Sequence, residues 1–260
     1  MRRDVLEMRA FYASPLGAAA RTMISRKVLE VWDDAHGLDV LVMGYATPFV
    51  DGLAEKARRV VATMPPEQGV EAWPLGQPNR ACLADETDLP FPAALFDRVL
   101  VVHGLEESDN PLRLLKEAGR VLAPSGRLVV AVTSRHGLWA NAENSPFGHG
   151  RPFSRRQLED LIREAELEPS GWTRALYAPP LQWAARFAEA FEQAGVWLWR
   201  PFAGVMLMEA VKQVYALTPR RVRARARVFA PGVLNPSPVG RAPHWQAPAV
   251  SPRPKGLERP

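Results

Sequence analysis

Three groups of residues in this 260-residue chain have types and spacings suited to chemistry. Asp85, Glu86 and Asp88 stand together directly after a short apolar stretch near Arg80 to Ala84. Carboxylates in such a loop accept hydrogen bonds from amines or hydroxyls brought beside them. His103 closes the apolar run Val99 to Val102, and an imidazole there can take a proton near neutral pH. Gly44 follows Asp39-Val-Leu-Val-Met43. The loop it opens lets backbone approach a ligand without a Cβ in the way. A longer segment past a later strand holds Trp139, His149 and Arg151. Loops beyond strand ends commonly carry substrate contacts, and all three are candidates, with interior packing an equal reading for Trp139. Tyr12, on the N-terminal segment, is a candidate lid residue. Metal-ligand spacings such as Cys-x-x-Cys or His-Glu-x-x-His are missing, so no metal site is expected. The single Cys82 excludes an intramolecular disulfide and suits a reducing compartment.

The elements that must position these residues are legible in the punctuation. Ser14-Pro15 pairs an N-cap with a first-turn proline and predicts a helix to about Asp34. Met23, Val28, Leu29 and Trp32 are among its buried positions, and Gly37 is its stop. Asp39 to Met43 reads as a buried parallel strand. Thr47-Pro48 predicts a further helix through Arg59, and Val60 to Met64 a second strand. Short strands follow near 80–84, 98–102 and 127–132. Asn110-Pro111 starts a helix with Leu112, Leu115, Ala118 and Leu122 at helical spacing. Ser154-Arg-Arg-Gln157 is a capping box, with Phe153 and Leu158 placed as its hydrophobic staple. Strands near 172–177 and 203–208, with a helix at 181–193 between them, complete an alternating α/β pattern. Such a pattern calls for a mostly parallel sheet covered on both faces.

A hydrophobic content of 47% suffices for one substantial core. The net charge of +5 and pI near 9.7 permit an acidic partner without demanding one. Arg220, Arg221, Arg223, Arg225 and Arg227 crowd into eight residues, and a proline-rich tail follows. Residues 218–260 are therefore expected to be extended or disordered. The N-terminus shows no apolar leader. The stretch from Val196 to Val211 is broken by Arg200, Pro201 and Glu209, too short to span a bilayer. A soluble cytoplasmic protein with no membrane partner is the expectation.

From Leu83 to Thr133 the chain reads Leu-Ala-Asp85-Glu86-Thr-Asp88-Leu-Pro-Phe91, then Phe96-Asp97 through His103, then Pro111 through Glu117-Ala-Gly-Arg120, Ser125-Gly126 and a second apolar strand. This order resembles the class I S-adenosylmethionine-dependent methyltransferases, particularly the small type 11 domain. The resemblance implies a Rossmann-like, seven-stranded, mostly parallel sheet with helices on both faces. It places the methyltransferase-like domain over 37–217, with 1–36 as a helical lid. It also implies S-adenosylmethionine as cofactor and a methyl acceptor, small or macromolecular, that the sequence does not identify. By position, Gly44, Tyr45, Ala46, Thr63, Asp85, Glu86 and His103 would hold the cofactor, with the acid after the third strand accepting from the adenine amino group. His103 is the candidate general base, although methyl transfer depends largely on aligning the nucleophile with an already activated methyl group. The family's acid followed by Gly-x-Gly-x-Gly is here Met43, Gly44, Ala46 and Pro48. The second strand ends Thr63-Met64-Pro-Pro, without the carboxylate usually offered to the ribose. A second reading follows from these departures: a non-catalytic methyltransferase-like protein that binds RNA or a ribonucleoprotein through the arginine run.

Overall fold

Two helices precede the sheet because Ser14 interrupts what would otherwise be one. The computed structural model describes residues 2–32, 34–198, 200–213 and 227–228. Helix α1, Val5–Ala13, starts at Asp4, whose carboxylate accepts the Leu6 N–H. Helix α2, Pro15–Trp32, starts at Ser14, whose hydroxyl accepts the Gly17 N–H at 3.1 Å. It ends just short of Asp34. Met23, Val28 and Trp32 are buried as their spacing requires, but Leu29 is 40% exposed. The buried stripe runs through Ala20, Ile24, Val28 and Val31, and Leu29 lies a third of a turn away from it.

Strand β1, Asp39–Gly44, is buried throughout. The helix expected from Thr47 to Arg59 is not there. A 3₁₀ turn at Thr47–Phe49 is followed by a single turn, α3, Asp51–Ala54. Phe49, Val50 and Leu53 all point into the core, and Gly52 adds no helix propensity. The Thr-Pro start signal is obeyed, but the helix does not extend to Arg59. Next come β2, Arg59–Met64, β3, Ala81–Leu83, and β4, Phe96–Val102. Helix α4, Pro111–Val121, is capped by Asn110 and leads into β5, Leu122–Thr133. Helix α5, Arg155–Glu164, carries the complete Ser154/Gln157 capping box. Strand β6, Glu168–Ala175, and β7, Val205–Val211, flank helix α6, Ala188–Leu198. The region expected as one helix from 181 is 3₁₀ over Gln182–Phe187 before α6 begins. Trp183 and Trp197 face outward, 52% and 82% exposed.

The strand order is β3-β2-β1-β4-β5-β7-β6, extended by the two-residue β8, Arg227–Val228, beside β6. Strands β1 to β5 pair in parallel and β7 is antiparallel to both neighbours. Alternation along β1 divides the core. Val40 and Val42 pack with α2, while Leu41 and Met43 pack with α4 and α5, as a period of two requires. Strand order reverses between β1 and β4, and the carboxyl ends of those strands define the crevice where such sheets bind ligands. Among the described residues, no helix is long and apolar enough to cross a membrane. Apart from Arg227, whose backbone lies in β8, the arginines of the C-terminal run fall outside the described residues, as does nearly all of the tail.

Candidate functional site

Gly44 sits at the mouth of the crevice with φ +75°, a backbone state that favours glycine. A Cβ at this position would lie 2.4 Å from the Val102 carbonyl oxygen. The next residue, Tyr45, donates its N–H to that same oxygen at 2.9 Å. His103 ends β4 in the same left-handed region, at φ +54°, and is 3% exposed. Burial holds its imidazole down at about 3, so the ring is neutral at ordinary pH. The Tyr12 hydroxyl is 2.6 Å from its Nε2. Burial also pushes the Tyr12 phenol well up, so both groups are neutral and share one hydrogen bond. Nε2 is thereby engaged, and His103 is a packed, hydrogen-bonded residue here rather than an available base.

The space above Gly44 is filled by aromatic rings. Tyr12 stacks on Tyr45 at 5.8 Å and meets Phe49 edge-on at 5.3 Å, while Phe147 lies 4.7 Å from His103. Tyr45 is itself buried, and its hydroxyl donates to Glu71 at 2.7 Å. The chain leading into α1 ties this packing to every neighbouring loop. Arg2 pairs with Glu86 after β3. The Arg3 N–H donates to Glu107 after β4 at 3.1 Å, and its guanidinium meets the Glu143 carbonyl and the His149 ring after β5. Val5 donates to the Gln68 carbonyl after β2 at 2.8 Å. One short segment thus straps the whole carboxyl edge of the sheet.

Beneath the strap lies a residue that sequence reasoning passed over. Glu106 is 4% exposed, and one of its carboxylate oxygens accepts the Thr133 N–H at 2.8 Å. The other oxygen has no protein partner, and neither do Gln68 Nε2 and Arg2 Nη1 at the same edge. Its place a few residues past the end of β4 was the only signal in the sequence. Burial pushes the carboxyl up to about 7 from an ordinary 4.5. Between those values only the folded chain holds the proton. The stabilisation is therefore complete at low pH and is lost as pH rises through 7. Glu106→Gln stays neutral and should flatten this dependence. Relative to the parent chain, the variant should gain about 2 kcal/mol between pH of about 5 and about 8, measured by urea unfolding. A constant difference across that range would show that Glu106 does not titrate there.

The remaining expected site residues separate into those brought to the crevice and those kept from it. Asp85 is exposed, and its carboxylate accepts both the N–H and hydroxyl of Thr87 at 2.8 Å. These bonds hold it below its ordinary range, hence ionised. Ala46 is buried in the turn beside Gly44. Thr63 is buried in β2 with its hydroxyl toward the Val42 carbonyl, at 3.4 Å. Trp139 is corrected: it is 1% exposed, its indole N–H is spent on the Ala178 carbonyl at 2.7 Å, and it packs on Phe147. Tyr12 lies in the strap over the crevice, with its hydroxyl bonded to His103. Arg151 lies outside the crevice, with an exposed side chain. Glu117 and Arg120 do more than pair on a helix. Glu117 accepts the Leu89 N–H at 2.8 Å and Arg120 donates to the Leu89 carbonyl at 3.0 Å, which clamps the acidic loop to α4. Among the described residues, no cluster of three or more His, Cys, Asp or Glu side chains could hold a metal ion.

Comparison with known proteins meets this geometry at the same residues. The methyltransferase domain family matches residues 44–130, from the Gly44 loop through most of β5. Residues 44–130, a third of the chain, thus carry the likeness to a methyltransferase domain. A 27-O-demethylrifamycin SV methyltransferase of Amycolatopsis mediterranei is 36% identical over 129 residues, which cover 43% of this chain and 44% of that protein. The chain thus spans less than half the length of that curated relative. Among solved structures, a chain from the complex of the Haloferax volcanii Trm112 methyltransferase activator with its methyltransferase superposes with a TM-score of 0.58 at 19% identity. That match covers 80% of this chain and 97% of the other. The Burkholderia thailandensis 1,6-didemethyltoxoflavin-N1-methyltransferase, solved with S-adenosylhomocysteine, superposes at 0.50 with 19% identity, covering 75% and 79%. These likenesses fix the fold.

The methyltransferase family implies S-adenosylmethionine, and the residues present fit part of it. Gly44 offers the close backbone approach, Asp85 an ionised acceptor, and the unpartnered Glu106 oxygen and Gln68 amide polar groups short of partners. The ribose position offers only the Thr63 hydroxyl. Tyr12 bonds to His103 and stacks on Tyr45, the residue after Gly44, so a nucleoside seated against Gly44 requires the strap and its tyrosine to move aside.

Proposed function

We propose that the chain is an S-adenosylmethionine-dependent methyltransferase acting on a small organic acceptor. The observation that carries this reading is Gly44, pressed against the end of β4 at the strand-order reversal, with the ionised Asp85 after β3 at the same carboxyl edge of the sheet. When bound, the cofactor supplies an activated methyl group. The chain's own residues would bind and orient it: the Gly44-Tyr45-Ala46 backbone beside the carboxyl end of β1, and Asp85 toward an amine. The relatives support small-molecule acceptors, since the Amycolatopsis and Burkholderia proteins are named for such compounds. They give no support to the RNA-binding alternative.

Calorimetric titration with S-adenosylmethionine tests the proposal directly. Asp85→Ala should weaken binding about tenfold, the worth of one hydrogen bond to a charged group at ~1.5 kcal/mol. Unchanged affinity would remove Asp85 from the site. Absence of binding at millimolar ligand, in the parent chain and in an Arg2→Ala/Arg3→Ala variant with a loosened strap, would overturn the reading.

A further inference from the structure

The same edge of the sheet carries an open cavity of about 260 Å3 on its other face. Leu105, Phe153 and Leu161 line it and belong to the core packed by α4 and α5, whereas Tyr12, Tyr45 and Phe49 belong to the opposite core. The strap and its aromatic cluster therefore do not fill it. Arg135 and Arg151 also line this cavity. Among the described residues, neither has a carboxylate partner. The arginines of nearby α5 differ: Arg155 and Arg163 reach Glu159, and Arg156 reaches Asp160.

The Arg135 guanidinium reaches the Pro152 carbonyl at 3.4 Å, and a surface arginine without a carboxylate partner means little alone, because water solvates it well. What gives these two meaning is their convergence on an apolar recess from a fixed frame. Segments 133–135 and 151–153 pair like strands: Phe153 donates to the Thr133 carbonyl and Arg135 to the Phe153 carbonyl, each at 3.0 Å. Arg151 is held from its own N–H by the Glu106 carbonyl at 2.9 Å. Gly150 permits that approach, with φ +75°, and a Cβ there would lie 2.6 Å from the same oxygen. Pro111 and Gln157 bring the first turns of α4 and α5 to the wall, and the partial charge of helix starts has the same positive sign.

We propose that this cavity binds a small amphipathic anion, a carboxylate carried on a ring or short acyl body. The apolar floor takes the body and the two guanidiniums take the charge, an arrangement that arginine forks suit. The volume lies below the range of about 300–1,000 Å3 usual for drug-sized ligands, which favours a small one. The site does not depend on methyl transfer, and its test needs no cofactor.

The test is titration of the full chain, followed by amide NMR and calorimetry, with 2-naphthoate, the neutral 2-naphthamide and inorganic phosphate. The acid should bind saturably, with shifts concentrated at Gln157 and Leu161 rather than Tyr45. The amide and phosphate should each bind at least tenfold more weakly. Arg135→Ala/Arg151→Ala should lose at least tenfold in affinity for the acid. Arg156→Ala, which removes an equal charge from an exposed position outside the cavity, should leave affinity unchanged. No saturable binding in the millimolar range, equal binding of the amide or of phosphate, shifts centred on Tyr45, or an equal loss in Arg156→Ala would each overturn the proposal.

Discussion

Gly44→Ala is expected to destabilise the chain by about 3 kcal/mol and to abolish binding at the crevice. Two costs add. A non-glycine residue at φ +75° pays roughly 1–2 kcal/mol for its backbone state. Its Cβ, only 2.4 Å from the Val102 carbonyl oxygen, also forces β1 and β4 apart. Overpacking of that kind costs about 1–3 kcal/mol. The atom in the way is backbone in a central strand, so it cannot yield as a flexible side-chain tip would. Urea unfolding measures the loss. Ala46→Gly, two residues along the same loop, serves as the comparison; it restores a family glycine and should cost about 1 kcal/mol or less. An unchanged midpoint for Gly44→Ala would show that β4 relaxes freely and that close strand approach is not what this glycine provides.

Much of the frame was legible because local chemistry and packing agree. Ser14-Pro15, Asn110-Pro111 and the Ser154 capping box mark helix starts that tertiary structure has no reason to override. The apolar runs ending at Gly44, His103 and Thr133 are long enough to be central strands. Thr47-Pro48 marks a start but not a length: a 3₁₀ turn and a single helical turn follow it, with Gly52 inside that turn. The site was less legible for a different reason. Sequence pattern places residues at the ends of strands, but it does not say which way a side chain turns or what arrives from elsewhere. Trp139 and Tyr12 lie in suitable segments, and both turn inward. Glu106 belongs to no motif, and only its burial beside Thr133 distinguishes it from Glu107. The N-terminal strap is the largest omission. Arg2, Arg3 and Tyr12 meet partners more than eighty residues away, and no local periodicity encodes that.

Loosening the strap should therefore raise cofactor affinity rather than lower it. With Arg2 on Glu86, Arg3 on Glu107 and His149, and Tyr12 on His103, the closed form holds side chains where a nucleoside would have to lie. A ligand that binds only the open form sees its affinity reduced by the fraction of molecules that are open. Each hydrogen bond to a charged group contributes about 1.5–3 kcal/mol. Arg2→Ala with Arg3→Ala should thus shift the balance toward the open form by at least ~1.4 kcal/mol, a tenfold tighter apparent Kd for S-adenosylmethionine. Both arginines sit ahead of α1, so the helix itself and its Asp4 cap remain. Tyr12→Phe tests the deeper contact: it keeps the ring but leaves His103 Nε2 without its partner, and should tighten binding by a smaller factor. The opposite sign is equally informative. If the double variant binds more weakly, the strap closes over the ligand instead of excluding it, Tyr12 then belongs to the bound site, and the aromatic packing above Gly44 must rearrange around the nucleoside rather than leave.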